Sequence, residues 1–177
     1  MGFDKDKAFG PKNFKYIDDL IQSGAKEIVL DLDIVLGDGE ESQYLEGIKL
    51  DVDDLVIDGN GHTIDAQEKT RIFYCTGKNI TIKNITLKNG FIKGSGGAIH
   101  NTGEIKITES ALHDNMAEYN GGAIENNGSV TIAESTLKNN TAENGGAICN
   151  YNEKSFNIKN CKLENNKPND IDYKKDN

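Results

Sequence analysis

The densest set of groups able to move protons lies at residues 58–65, Asp58-Gly59-Asn60-Gly61-His62-Thr63-Ile64-Asp65. Two carboxylates and an imidazole this close could act as general acid and general base on a bound sugar chain, if the fold aimed them at one point. The flanking glycines also suit a kinked bend between two strands, which is the reading we prefer. A polysaccharide-cleaving site would need further parts. The chain has no later Asp-Asp pair, no Gly-His-Gly turn and no Arg-x-Lys. A lyase would add a calcium-binding carboxylate cluster and a basic arginine, but Arg71 is the only arginine and is expected to pack or pair at a corner.

Other chemistry-bearing residues are more dispersed. Acidic residues in Gly37-Asp38-Gly39-Glu40-Glu41 and Asp51-Val52-Asp53-Asp54 could offer oxygens to calcium, yet their spacing fits neither an EF-hand loop nor a nonapeptide calcium repeat. They read as solvated turns. His100 and His113 lack a third ligand at useful spacing and read as surface imidazoles. The sequence therefore calls for no metal and no cofactor. Among Tyr44, Tyr74, Tyr119 and Tyr151, the last two stand near glycine corners, where exposed aromatics amid Asn and Asp can grip sugars or partner chains. Tyr119 and Tyr151 are the candidate surface-binding residues. Asn79-Ile80-Thr81, Asn127-Gly128-Ser129 and Asn139-Asn140-Thr141 match the glycosylation triplet, a frequent match in so Asn-rich a chain.

A repeat positions these groups. Gly96-Gly97-Ala98-Ile99, Gly121-Gly122-Ala123-Ile124 and Gly145-Gly146-Ala147-Ile148 recur at about 25-residue spacing, the mark of a solenoid. Between them Ile105/Ile107, Val130/Ile132 and Phe156/Ile158 alternate with polar residues, and each pair is followed by LxxN, Leu112 to Asn115, Leu137 to Asn140 and Leu163 to Asn166. A degenerate earlier copy holds Ile80, Ile82 and Leu87. Alternation marks strands with one dry face, and Gly, Asn and Asp clusters supply tight corners. Each copy is then one coil of a β-helix.

Stacking the copies predicts interior rows Ile80/Ile105/Val130/Phe156, Ile82/Ile107/Ile132/Ile158, Leu87/Leu112/Leu137/Leu163 and Ile72/Ile99/Ile124/Ile148, the last extended by Ile171. It also stacks polar corners, Asn89/Asp114/Asn139/Asn165 and, beside them, Asn115/Asn140/Asn166. A stacked Asn donates to one neighbour and accepts from the other, so both rows are expected to be structural ladders. The paired glycines are expected to turn the chain with positive φ and let neighbouring rungs approach closely. Cys75, Cys149 and Cys161 show no metal spacing and read as free thiols. Cys161 aligns with Ile85, Ser110 and Ser135, a place for small side chains, whereas Cys149 follows an inward Ile148 and should point outward.

The 177 residues fit one domain, and a 36% hydrophobic content with mean hydropathy −0.60 suits a thin axial core with much wet surface. Residues 1–27 read as a charged lead-in followed by a capping helix, with Asn13 as N-cap, Phe14, Ile17, Leu20 and Ile21 on one face, Asp18 and Asp19 near the positive end, and Gly24 as stop. Residues 28–177 read as a single-stranded right-handed parallel β-helix of about six coils, ending in Ile171, Tyr173 and a charged tail at 174–177. The fold class is all-β with one helical cap. A net charge of −9 excludes a nonspecific nucleic-acid binder, and no apolar run is long enough for membrane insertion. The charged start is not followed by an apolar stretch, so the chain is expected to be cytoplasmic if complete, or a piece of a longer surface protein.

The pairing of GGAI with LxxN resembles the GGA(I/L/V) and FxxN repeats of polymorphic outer-membrane-type proteins, with Leu in place of the commoner Phe. Upstream, Ile57-Asp58-Gly59-Asn60-Gly61-His62-Thr63-Ile64-Asp65-Ala66, Arg71-Ile72-Phe73 and Asn84-Ile85-Thr86-Leu87-Lys88-Asn89-Gly90 resemble adhesin-like β-helix proteins of methanogenic archaea. The resemblance runs from the helix to the end of the chain. It implies a noncatalytic, adhesin-like module at the cell surface, with glycans or cell-surface proteins as partners. The alternative is a lyase- or glycosidase-like enzyme using Asp58, His62 and Asp65.

Overall fold

Period-two burial is visible in every long strand. In Glu104–Thr108 the side chains of Ile105 and Ile107 are buried while Glu104 and Lys106 are exposed, and Ser129–Ala133 buries Val130 and Ile132 in the same way. One such face suffices for a column only if copies stack in register, and they do. A computed structural model describes residues 11–175 as an all-parallel β-solenoid of about six turns with one helix near its N-terminus. The lead-in at 1–10 and the last tail residues, 176–177, lie outside the described residues.

Three six-stranded sheets form the walls. The first contains Glu27–Val29, Val56–Asp58, Ile80–Lys83, Glu104–Thr108, Ser129–Ala133 and Phe156–Lys159. Ile34–Val35, Thr63–Asp65, Thr86–Lys88, Ala111–His113, Thr136–Lys138 and Lys162–Glu164 make the second. The third is built from Ile48–Leu50, Phe73–Cys75, Ile99–Asn101, Ile124–Asn126, Ile148–Asn150 and Ile171–Tyr173. The chain visits the three sheets in turn, so each circuit adds one strand to each.

Leu87, Leu112, Leu137 and Leu163 lie in one row, and Ile82, Ile107, Ile132 and Ile158 in another. Burying each aliphatic side chain contributes roughly 1.5–3 kcal/mol, so the axial column is the main source of stability. One expected row is corrected. Phe73, not Ile72, pairs with Ile99, and the row reads Ile48/Phe73/Ile99/Ile124/Ile148/Ile171. Ile72 is also buried, but it stands one place earlier, where its N–H donates to Ala98 O as that of Ala98 does to Ala123 O. Arg71-Ile72 replaces Gly97-Ala98 at this corner, which hides the offset from sequence alignment.

Polar rows run beside the apolar ones. Asn115 Nδ2 donates to Asn140 Oδ1 at 3.0 Å, and Asn140 Nδ2 to Asn166 Oδ1 at 3.0 Å. The same oxygens accept the backbone N–H groups of Asn115 and Asn140. Asn89, Asp114, Asn139 and Asn165 behave differently from the expected ladder. They hold left-handed corners, with φ of +53 to +56°, and point toward solvent, where Asn89 Nδ2 reaches Asp65 and Asp114 meets His113. Asn tolerates that backbone because its short polar side chain offsets the crowding.

A second buried ladder, unforeseen, comprises Asn101, Asn126 and Asn150 in the third sheet. Asn101 Nδ2 donates to Asn126 Oδ1 at 2.8 Å and Asn126 Nδ2 to Asn150 Oδ1 at 2.7 Å. Its sequence signal is the Asn two places after each GGAI, as in Ile99-His100-Asn101. The row ends at Asn150, whose Nδ2 is buried without a partner.

The helix, Phe14–Gln22, covers the N-terminal end of the column with Phe14, Ile17 and Ile21 fully buried and Leu20 half-buried. Asn13 Oδ1 accepts the Tyr16 N–H, and Gly24 follows the helix with φ +87°. Asp18 and Asp19 lie mid-helix rather than in its first turn. The acidic turn at 37–41 is not wholly solvated. Glu40 is buried, and its carboxylate accepts the N–H groups of Phe14 (3.1 Å), Lys15 (3.0 Å) and Gly37 (2.7 Å). A carboxylate at a helix N-terminus satisfies orphan donors and complements the helix dipole. Glu40→Ala is expected to destabilise the lid by about 2 kcal/mol, read as faster amide exchange across 14–22 with little change in the central turns.

Candidate functional site

The corner at 58–65 joins the first sheet to the second, so Asp58 and Asp65 end strands in different walls. Each has its own partners. Asp58 Oδ1 accepts the Asn60 N–H at 2.8 Å, and Oδ2 lies 3.5 Å from Lys83 Nζ. Asp65 Oδ1 accepts from Gln67 N–H and Asn89 Nδ2, while Oδ2 lies 3.7 Å from Lys88 Nζ. His62 Nδ1 is 3.2 Å from Asp33 Oδ1. Among the described residues none of the three bonds to another. The hollow of about 420 Å3 along this corner is lined by Gly61, Asn84, Glu109 and Glu134, and by none of the three.

The outer face of the third sheet gathers chemistry that lies scattered along the sequence. The central residue of each strand points outward because its neighbours point in, and the registered row is Lys49, Tyr74, His100, Glu125, Cys149 and Asp172. Tyr74 and His100 stack at 5.0 Å between ring centroids with 6° between planes. His100 Nδ1 lies 2.6 Å from Glu125 Oε2. Arg71, at the edge, donates to Ser95 O (2.7 Å), Gly96 O (2.9 Å) and Glu46 Oε2 (2.8 Å), with its guanidinium 5.8 Å from the Tyr74 ring centre. It packs and pairs at a corner.

Tyr151 crosses the far half of this face. Its Oη accepts from Asn120 Nδ2 at 3.1 Å, and Asn120 also bonds Ser95 Oγ and Asn144 Nδ2. The ring shields Glu125, 8% exposed, and Cys149, which is fully buried. Cys149 thus occupies the outward row as expected but does not meet solvent, because the tyrosine two places on folds back over it. Of the two candidate tyrosines, Tyr119 is 54% exposed and Tyr151 is half-buried in this cover. Nothing in the spacing of Tyr74 and His100 along the chain marks them as a stacked pair. Their signal was the column formed by the residue after each GGAI, His100, Glu125 and Cys149.

Burial pushes the Cys149 thiol from 9.0 to about 11, with the Asp172 carboxylate adding to the effect, and burial pushes the Tyr151 phenol from 10.0 to about 12. Burial also raises Cys75 and Tyr44. A group whose folded pKa exceeds its unfolded value keeps its proton longer in the folded chain. The stability it contributes is full below the unfolded pKa and is lost as pH rises through the folded one. Urea midpoints are therefore expected to hold up to about pH 9 and fall between about pH 9 and about pH 12. At pH 8 the half-buried Cys161 is expected to alkylate first, with Cys75 and Cys149 reacting only on unfolding.

His113 pairs with Asp114, and no group of three or more His, Cys, Asp or Glu among the described residues is placed to hold a metal ion. No described helix is long and apolar enough to cross a membrane. The Chlamydia polymorphic membrane protein repeat matches residues 134–151, a stretch holding both Leu137 to Asn140 and the last GGAI. The stacked parallel turns are an architecture that fits a repeat protein of this type. No curated protein and no solved structure matches the chain.

Proposed function

We propose that the chain is a noncatalytic, adhesin-like surface module that holds glycans or partner surfaces on its polar outer walls. The observation that carries this reading is the third-sheet face, where aromatic, cationic and anionic side chains stand in a registered row on a stiff scaffold. A solenoid offers such a row without any movement of the backbone, so little ordering is needed on binding. Similarity of residues 134–151 to a repeat named for membrane proteins supports display at a surface. The separate partners of Asp58, His62 and Asp65 favour binding over cleavage. Beads carrying the chain are expected to be retained on at least one insoluble polysaccharide, wall preparation or cell type over bare beads. Retention on none of them would remove the reading, and release of sugar products that depends on Asp58 and Asp65 would replace it with an enzyme.

A further inference from the structure

We propose that the open half of the third-sheet face, where the Tyr74 ring meets Glu46 and Lys49, is a subsite for one neutral pyranose unit at the end of a glycan. This deepens the adhesive reading and rests on it. His100 covers one side of the Tyr74 ring, and the cavity of about 380 Å3 that Tyr74 shares with Glu46 and Lys49 lies toward the Lys49 strand, on the side of Tyr74 away from the His100 strand. Lys49 belongs to the preceding turn, one strand away in register, which makes the opening a slot.

A pyranose carries C–H bonds on its flat side and hydroxyls around its rim. The tyrosine face takes the flat side, through dispersion and the pull of its negative π surface on C–H groups. The hydroxyls need both kinds of hydrogen-bond partner. Glu46 accepts from Arg71 through one oxygen and keeps acceptor capacity, and the exposed Lys49 ammonium supplies donors. Glu46 and the Tyr74 ring are held before any ligand arrives, because Arg71, which bonds Glu46, is tied to two carbonyl oxygens of the neighbouring turn, and His100, stacked on Tyr74, is tied to Glu125. The chain's net charge of −9 works against acidic sugars, and the Arg71 charge in the wall is already met by Glu46. Beyond His100 the face is closed by Tyr151, so the slot takes one ring at a chain end and not a run of them.

The test titrates the full chain with neutral methyl pyranosides, short neutral oligosaccharides and methyl glucuronide, using ligand-observed NMR. A neutral pyranose should bind, weakened about tenfold by Tyr74→Ala and less by Lys49→Ala, with Tyr74→Phe close to wild type. Melting curves check that the variants fold, and Lys49→Ala, at an exposed side chain, keeps the test open if Tyr74→Ala does not. Binding of glucuronide alone, of no neutral sugar, or equally well by Tyr74→Ala and Lys49→Ala would overturn the subsite. Running the same variants in the bead assay separates the two ideas. Retention unchanged in Tyr74→Ala sinks the subsite and leaves adhesion standing, whereas a wild-type chain retained on nothing sinks both.

Discussion

Gly122→Ala is expected to destabilise the solenoid by at least about 3 kcal/mol, and to leave much of the chain unfolded under conditions where wild type is folded. A methyl group at Gly122 would stand 2.2 Å from Gly146 O and 2.6 Å from both Thr141 N and Thr141 O. These are backbone atoms of the next turn and cannot swing aside. Relief requires prising two turns apart, which breaks the ladder on both sides. Gly97 is in the same position against Gly122 O, so the effect should recur one turn earlier. Gly94→Ala is the control: its added methyl would meet only Ile92 Cγ1 at 3.6 Å, and its change should stay within about 0.5 kcal/mol. Urea unfolding of the three variants measures the contrast, and a Gly122→Ala midpoint close to that of Gly94→Ala would contradict the close-stacking account.

The second large effect comes from neighbouring asparagines with opposite duties. Asn140→Gly is expected to cost about 3–5 kcal/mol, since it leaves a void and strips partners from Asn115 and Asn166 and from the Leu112 carbonyl, all buried. Asn139→Gly should change stability by no more than about 0.5 kcal/mol, because the residue is exposed and already sits at φ +55°, where glycine is at ease. Denaturant melts of the two single variants give the comparison directly. Comparable losses at both positions would mean that the buried amide ladder contributes little.

Both predictions bear on binding as well as on folding. The third-sheet row is straight only because each turn rises by one strand spacing, about 4.8 Å, and the second glycine of each pair sets that approach. A turn forced open at Gly97, whose added methyl would press on Gly122 O, would also pull Glu125 away from His100, and with it the brace behind Tyr74. Stiffness of the column and geometry of the face are one property.

The sequence by itself determined the column. Alternation of apolar residues and a repeat near 25 residues fix which side chains face inward and which copy lies above which, because strand period and rung spacing are local and leave no freedom once the copies are aligned. Leu112, Leu137 and Leu163, the glycine pairs and the Asn115 ladder were all legible for that reason, and the Asn101 ladder could have been. Tertiary structure alone decided what happens where copies differ or where distant segments meet. Arg71-Ile72 in place of Gly97-Ala98 shifted Phe73 into the row expected for Ile72. Glu40, read as part of a wet turn, became the cap of a helix more than twenty residues earlier. Cys149 was outward in register yet dry, because Tyr151 folds across it toward Asn120. Such contacts depend on how long side chains reach across a corner, and periodicity carries no information about that.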